Sequence, residues 1–210
     1  FQAKGCPNPE NISLKYLNAW EEYKEIKKRS DENNLLNRTG SASNWVQMGY
    51  SVDGSTRIGG RIVCMAIDPN NTNNLWVGSA SGGIWKSTDA GANWAAVPTG
   101  LPVLGVSSII VNPSNSNIIY AGTGEVYHTE VGVMGFNVWK TRGTYGIGVI
   151  RSDDGGATWS QVMTKISSDL FAIQSLAFQP GTPTTVYACA TDGLYRSTNS
   201  GSTWSKIYTG

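Results

Sequence analysis

From Trp45 onward, apolar residues fall in short runs separated by turns that are rich in Gly, Pro, Asn and Asp. Runs of this kind are typical of β-strands. They recur as units of four, with a Pro-containing turn after the first strand and a tight turn between the third and the fourth. The pattern therefore predicts three four-stranded antiparallel sheets, at about residues 61–97, 106–163 and 173–208.

The length of the repeated unit indicates the fold. Trp159 and Trp204, which open the last strand of their units, are about 45 residues apart, a period typical of a β-propeller blade. We therefore predict an all-β propeller of four-stranded antiparallel blades over residues 44–210, with a lone closing strand at 44–49. Because three blades and one strand would leave open sheet edges, we expect the N-terminal part of a longer protein, or completion by another chain. The remaining blades are thus predicted partners.

Residues 1–43 have a different pattern. Between about residues 12 and 29, apolar side chains fall at helical spacing with lysines and glutamates between them; they are Tyr16, Ala19, Trp20, Tyr23 and Ile26. This predicts one amphipathic α-helix that precedes the propeller, and we expect its apolar stripe to pack on the propeller. Residues 30–43, rich in Asn and Ser, are predicted to be a linker.

The tight turn has a repeated motif, S-x-D-x-G-x-T-W, which we call the Asp turn. Asp, Ser and Thr oxygens accept hydrogen bonds from backbone N–H groups, Gly allows positive φ, and Trp buries a large ring. A reaction needs one site, whereas this turn recurs in every unit, so its carboxylates are predicted to be structural. The predicted structural residues are Ser87, Asp89, Gly91 and Trp94, then Ser152, Asp154, Gly156, Thr158 and Trp159, then Ser197, Asn199, Gly201, Thr203 and Trp204.

Composition narrows the classes of function. The 16 Lys and Arg residues nearly balance the 15 Asp and Glu residues, so the net charge of +1 predicts no nucleic-acid partner. No run of about 18 apolar residues is present, so no transmembrane segment is expected. The chain has one histidine, His128, and no CxxC pair, which argues against a zinc site. We predict no metal and no cofactor.

The three cysteines give no self-contained disulfide framework, because their number is odd. Cys64 and Cys189 lie in apolar strand runs and are predicted to be buried free thiols. Cys6 lies in the irregular start of the chain, and any disulfide partner for it is expected outside the chain.

The Asp turn resembles the Asp-box, or BNR repeat, of sialidases, xyloglucanase-type glycoside hydrolases, the sortilin luminal domain and many secreted bacterial propellers. Residues 57–69, 77–87 and 120–125 look most like the secreted bacterial group, especially surface proteins of the Bacteroidetes type, often exported by the type IX system. The resemblance covers roughly residues 44–208. It implies the propeller fold and a secreted or cell-surface location, but it implies little about activity because the turn itself is structural.

At the positions that match the catalytic motifs of these enzyme families, this chain lacks the catalytic residues. In xyloglucanase-type enzymes the nucleophilic Asp precedes a Gly-Gly pair between the second and third strands of the first blade, but residues 78–83 (Gly-Ser-Ala-Ser-Gly-Gly) hold no carboxylate. Glycoside hydrolysis needs a carboxylate pair. A sialidase-like site would need an arginine cluster, a Tyr and a Glu, and no motif joins Arg57, Arg61 and Tyr50. No catalytic residue is predicted, and the scarcity of cysteines argues against a sortilin-type receptor.

The second unit is about 20 residues longer than the third, and the extra residues fall between its second and third strands, away from the Asp turns. Aromatic side chains beside Arg, Glu and His can stack on a sugar ring or receive a peptide chain. They can also plug the propeller mouth, and Glu125 can form a structural ion pair with Arg61. The predicted ligand-binding residues are Glu125, Tyr127, His128, Phe136, Trp139, Arg142 and Tyr145.

The favoured hypothesis is a non-catalytic secreted or cell-surface module that binds a glycan or protein ligand, in adhesion or as a scaffold. The alternative is a fragment of a secreted glycoside hydrolase, xyloglucanase- or sialidase-like, whose catalytic residues lie partly outside the chain.

Overall fold

The structure, a computed structural model, describes residues 12–33, 61–103, 105–133, 136–142, 144–165 and 171–209. Helix α1 (Ile12–Asn33) precedes the strands and is one turn longer than predicted. Among its apolar residues with described side chains, Trp20 is half-buried, whereas Ala19, Tyr23 and Ile26 are exposed. The expected packing of the stripe on the propeller is therefore wrong for Ala19 and Ile26, whereas Trp20 and Tyr23 line a cavity together with Gly83 and Val97.

Three antiparallel four-stranded sheets follow, which we call blades 1, 2 and 3. A two-stranded hairpin interrupts blade 2. Blade 1 contains β1 (Ile62–Ile67), β2 (Leu75–Ser79), β3 (Ile84–Ser87) and β4 (Ala95–Val97). Blade 2 and its hairpin contain β5 (Val106–Val111), β6 (Ile119–Thr123), β7 (Tyr127–Val133), β8 (Phe136–Arg142), β9 (Gly148–Ser152) and β10 (Ser160–Thr164). Blade 3 contains β11 (Ile173–Gln179), β12 (Thr182–Ala190), β13 (Gly193–Ser197) and β14 (Ser205–Thr209).

Strand order within each blade follows the chain, because each strand pairs with the next one except across the hairpin, where β6 pairs with β9. Consecutive antiparallel strands need only short turns, which the Gly- and Pro-containing segments provide. The predicted all-β propeller class, preceded by one helix, is confirmed. The predicted closing strand at residues 44–49 lies outside the described residues.

The core lies between blades rather than within them. Trp76 and Ile84 of blade 1 pack against a buried cluster from blade 2 that includes Ile109 and Ile150. A second cluster joins blade 2 to blade 3 and is built around Tyr120, Val149, Leu176, Val186 and Tyr195. Successive side chains of a strand point to opposite faces of its sheet. Each blade therefore has a leading face, toward the lower-numbered blade, and a trailing face, toward the higher-numbered one.

The two ends of the propeller are held by different connections. At one end, which we call the turn end, each Asp turn donates to the first turn of its own blade or to the start of the second strand, as in Gly155 N–H to Asn117 O at 3.0 Å. At the other end, the mouth, the connection between the second and third strands bonds to the entry of the blade, as in Ala80 N–H to Arg61 O at 3.0 Å. The β7–β8 hairpin belongs to the mouth.

Burial differs from expectation at three positions, of which Cys64 lies between blades 1 and 2 and the other two lie on the outer faces. Cys64 is a half-buried free thiol whose pKa burial raises to about 11. Cys189 is free but exposed, so the prediction of a buried thiol there is wrong. It lies on the trailing face of blade 3, which no further described blade covers. Trp94 is also exposed, unlike Trp159, because it lies on the leading face of blade 1.

Candidate functional site

The Asp turns bind their own side chains. In the second turn, Ser152 Oγ donates to Asp154 Oδ1 at 2.8 Å and accepts from Gly156 N–H at 2.8 Å. Asp154 Oδ1 accepts from Thr158 N–H at 2.8 Å, and its Oδ2 accepts from Thr158 Oγ1 at 2.6 Å. Asp89 makes the equivalent bonds with Ser87 and Asn93. Each carboxylate thus closes a turn.

The same bonds hold both turn carboxylates ionised. The N–H groups of Asn93 lower the pKa of Asp89 to about 2, and the Thr158 hydroxyl and N–H lower that of Asp154 to about 2. In the third turn, Asn199 Oδ1 accepts from Thr203 N–H at 2.9 Å, while its Nδ2 donates to Thr203 Oγ1. With pKa values of about 2, the carboxyl groups of Asp89 and Asp154 are poor proton donors near neutral pH.

The predicted ligand-binding residues all come from the hairpin at the mouth or from its base. In the β7–β8 register, Tyr127 faces Arg142 and His128 faces Thr141. Trp139 pairs with Glu130, and Phe136 closes the hairpin opposite Val133. The side chains between residues 127 and 142 lie outside what the structure describes. Glu125 lies two residues before the hairpin and is buried, and Tyr145 follows the hairpin and is half-buried.

Glu125 is held by Arg61, as the sequence suggested. Its side chain is 2 % exposed, and both carboxylate oxygens accept hydrogen bonds from the guanidinium, with Nη2 to Oε2 at 2.6 Å. The Glu125 N–H donates to Thr144 O at 2.8 Å across the base of the hairpin. Bidentate pairs fix geometry as well as charge. The pair therefore ties the entry of blade 1 to the hairpin of blade 2.

Asp192 is a mouth carboxylate that the sequence reasoning missed. It lies between β12 and β13, where its Oδ2 accepts from Tyr195 Oη at 2.7 Å and from Lys206 Nζ at 3.1 Å. Burial alone would raise the pKa of Asp192, but these hydrogen bonds outweigh it and hold the pKa below its ordinary value. Its place in the third unit, between the second and third strands, was the available signal.

Blade 1 carries an open apolar groove of about 490 Å³ near the mouth, which the sequence reasoning also missed. At its floor, Ser79 Oγ accepts from Gly82 N–H at 2.6 Å and closes a tight turn between β2 and β3. This turn has no carboxylate. The groove is lined by Arg61, Ile62, Val77, Ser79, Ser81, Gly82, Trp85 and Trp94.

Two classes of site find no support in the described part of the chain. No group of three or more His, Cys, Asp or Glu side chains is arranged to hold a metal ion there. Within the same residues, no helix has the length and apolar character that crossing a bilayer requires.

Curated relatives of the chain are xyloglucanases. The chain is 30% identical over 160 residues to a xyloglucanase of Paenibacillus sp, covering 70% of the chain and 14% of that protein. It is 27% identical over 193 residues to a xyloglucanase of Hypocrea jecorina, covering 91% of the chain and 18% of that protein. The chain thus spans less than a fifth of the length of these relatives. No protein-family model matches it.

Solved structures of GH74 enzymes share the fold. An ancestral GH74 enzyme superposes with a TM-score of 0.54 and 29% identity, over 70% of this chain and 18% of that one. The GH74 enzyme of Niastella koreensis gives a TM-score of 0.51 and 24% identity, over 70% and 22%. Together with the three blades, these likenesses support membership in a propeller group.

Proposed function

We propose that this chain supplies blades and part of the ligand-binding mouth to an extracellular propeller that binds a β-glucan such as xyloglucan. The observation that carries the proposal is the 30% identity to a xyloglucanase over 160 residues, a match that covers 70% of the chain. The proposal agrees with the aromatic-rich hairpin at the mouth, since sugar rings stack on aromatic faces. Under this proposal the repeated turns are Asp-boxes, and the protein is secreted or displayed on the cell surface.

Within the proposal, four of the carboxylates described in the blades hold structure rather than perform hydrolysis. Asp89 and Asp154 close turns, Glu125 is paired with Arg61, and Asp192 accepts from Tyr195 and Lys206. The turn between β2 and β3 has no carboxylate, whereas hydrolysis needs two, placed on either side of the scissile bond. Any hydrolysis by the intact protein is therefore assigned to carboxylates other than these.

Binding is tested with the intact natural protein, xyloglucan as the probe, and calorimetry or affinity gel electrophoresis as the readout. Trp139→Ala and Tyr145→Ala each remove one aromatic face from the hairpin region, and we expect Kd to rise about tenfold, equivalent to about 1.4 kcal/mol. Tyr208→Ala is the control, because Tyr208 is an exposed aromatic on β14, the outer strand of blade 3. Unchanged binding in both hairpin variants, or equal loss in the control, contradicts a glycan site at this hairpin.

A hydrolase fragment is the second candidate, favoured by the xyloglucanase names of the relatives. Release of reducing ends from xyloglucan by the intact protein would support it. We then expect Asp192→Asn to leave the rate within about threefold, because removing a directly reacting group costs orders of magnitude instead. A loss of more than a hundredfold, with thermal unfolding unchanged, contradicts the structural role of Asp192.

A further inference from the structure

The leading face of blade 1 is exposed, although it is built from large apolar side chains. Ile62, Met65 and Ile67 on β1 are 53%, 60% and 50% exposed, and Trp85 and Trp94 complete the face. The open groove of about 490 Å³ runs along this face. Patches of this kind on a soluble protein mark interaction surfaces.

The equivalent positions in the other blades show what such a face contacts. The strand registers align Met65 with Ile109 and Leu176, since Met65 pairs with Val77, Ile109 with Ala121 and Leu176 with Ala188. Both equivalents are 5% exposed, because each packs against the trailing face of the preceding blade. Trp159 is buried in the same way at the position of Trp94. The face on blade 1 therefore has the composition of a blade–blade contact.

Each described blade–blade contact also has a latch at the turn end, by which we mean an aromatic ring and a cation of one blade that contact the Asp turn of the next. The Trp76 ring of blade 1 lies directly over Gly156, in the Asp turn of blade 2, where no side chain would fit. Lys86 Nζ lies 4.4 Å from the centre of the Trp76 ring and donates to Gly155 O at 3.0 Å. An aromatic ring and a cation of blade 1 thus contact two adjacent glycines in the Asp turn of blade 2.

The latch recurs between blades 2 and 3. Tyr120 occupies the place of Trp76 and lies against Gly201, while its hydroxyl donates to Ser200 O at 2.8 Å. Arg151 occupies the place of Lys86 and donates to the same carbonyl at 2.5 Å. Gly156 and Gly201 are accordingly buried. Two independent copies make the latch a property of the interface rather than of one pair of side chains.

Blade 1 presents the receiving half of a third latch. Ala90 and Gly91 have φ of 56° and 92°, close to the 55° and 84° of Ser200 and Gly201. Gly91 is half-buried, and the atoms nearest to a Cβ built on it belong to Leu75 and Trp94 of its own blade. The backbone is shaped to receive a ring, and no preceding blade within the described residues provides one.

We propose that this socket, formed by Ala90, Gly91 and the exposed apolar face, receives a further blade of the same protein. That blade carries the sequence aromatic-x-Gly on its second strand and Lys or Arg before the Ser of its own Asp turn. Both described donors have this signature, with Trp76-Val77-Gly78 and Lys86-Ser87 in blade 1, and Tyr120-Ala121-Gly122 and Arg151-Ser152 in blade 2.

A second copy of blade 3 fits the socket less well. It carries an aromatic residue and a cation, Tyr187 and Arg196, but it has Cys189 where the donors have glycine. A Cβ at Gly78 would lie 2.7 Å from Val106 of the next blade, and one at Gly122 would meet Ile173 closer still. The Cys189 side chain would therefore collide with Ile62 of blade 1, which occupies the equivalent place. The inference does not depend on the glycan proposal.

The test is thiol labelling of the intact natural protein in a Cys6→Ser, Cys64→Ala, Cys189→Ser background, with single probes introduced by Met65→Cys, Ile109→Cys and Ser160→Cys. Ile109→Cys reports a position known to be covered, and Ser160→Cys an exposed outer strand that has blades on both sides. We expect Met65→Cys to react at least tenfold more slowly than Ser160→Cys, and to do so at every protein concentration.

Two outcomes would overturn the proposal. Labelling of Met65→Cys as fast as that of Ser160→Cys means that no blade covers the face. Protection that appears only as protein concentration rises means that a second copy covers it. Because each variant is compared with the background protein by circular dichroism, a misfolded probe is recognised, and Ile67→Cys then replaces Met65→Cys on the same face.

Discussion

The turn end and the mouth of this propeller are built from the same strands but differ in how much they vary. At the turn end, Ser87, Ser152 and Ser197 each accept a glycine N–H at 2.8 Å, and each donates to the side chain two residues later. At the mouth, one blade has a tight glycine turn, the second has a hairpin and the third has a short turn that holds Asp192. The turn end thus repeats one hydrogen-bonded structure in every described blade, whereas the mouth, which holds the candidate site, differs from blade to blade.

Because the two ends differ in this way, mutations at one end should affect folding and mutations at the other should affect ligand binding. Turn-end side chains bond to their own turn or to the adjacent blade, so their loss should lower stability and leave ligand affinity unchanged. Mouth side chains lie on connections whose length and sequence can vary without disturbing the sheets. Loops of this kind often carry the functional residues of a protein, held in place by a rigid scaffold.

Gly156→Ala should give the largest loss. The glycine has φ of 92°, and a Cβ there would run into the Trp76 ring, so we expect overpacking and backbone strain to cost about 3 kcal/mol. Gly181→Ala is the matched control, because Gly181 has φ of 74° with no atom within 4 Å of a built Cβ, and it should cost about 1 kcal/mol. Urea unfolding measures both. Equal costs would mean that the latch ring does not constrain the turn.

Arg61→Met should cost more than Glu125→Gln, although both break the same ion pair. Loss of the arginine leaves a carboxylate that is 2% exposed without its partner, whereas loss of the carboxylate leaves an arginine that is 57% exposed. We expect about 2 kcal/mol for the first and about 1 kcal/mol for the second. Unfolding free energies of both single variants and the double variant check this order. The reverse order would show that the pair is effectively solvated.

The turn end could be predicted from sequence in detail, because each Asp turn is local. Ser152, Asp154, Gly156 and Thr158 bond within seven residues of one another, so the spacing of residue types fixes the geometry. Strand order followed from the same repeat. The insertion could be placed by its extra length, though as a loop rather than a hairpin, and the Arg61–Glu125 pair by the expected position of both residues near the central channel.

Burial on the outer faces could not be predicted, because it depends on the neighbouring blade rather than on the strand. Trp94 and Trp159 have the same motif position, yet Trp159 packs in a core cluster and Trp94 is exposed. Cys189 lies in a run as apolar as that of Cys64, but its face has no described neighbour. Asp192 was missed since one carboxylate in a short turn has no distinctive spacing.

Lys86→Met should have a smaller effect on stability, and its size measures how much the cation contributes to the latch. The variant keeps the packing stem but loses the hydrogen bond to Gly155 O and the interaction with the Trp76 ring, together worth about 1 kcal/mol. Lys28→Met is the control, because Lys28 is an exposed lysine on α1, and it should change stability by less. An equal effect at both positions would argue that loss of a positive charge, rather than loss of the latch, lowers stability.

The smallest effect should come from the charge of the Asp turns, and it should depend on pH. The pKa of Asp89 and Asp154 is about 2 in the folded protein, against an ordinary value of 3.8. A lowered pKa means that the folded state favours the ionised form, so this contribution is complete above about pH 4 and is lost as pH falls toward 2. Asp89→Asn with Asp154→Asn should therefore lower the urea midpoint slightly at pH 7 and make no difference near pH 2.

The third turn shows why this loss should be small. Asn199 already replaces the carboxylate there, and it keeps both partners by reversing one bond, since its Nδ2 donates to Thr203 Oγ1 where Thr158 Oγ1 donates to Asp154. The double variant can make the same reversal at Asp154, so only the charge-assisted part of the bonds is lost. Xyloglucan affinity should not change, because these turns lie at the end opposite the mouth. A variant with normal stability but weakened binding would place part of the ligand site at the turn end, and the contrast between the two ends would then fail.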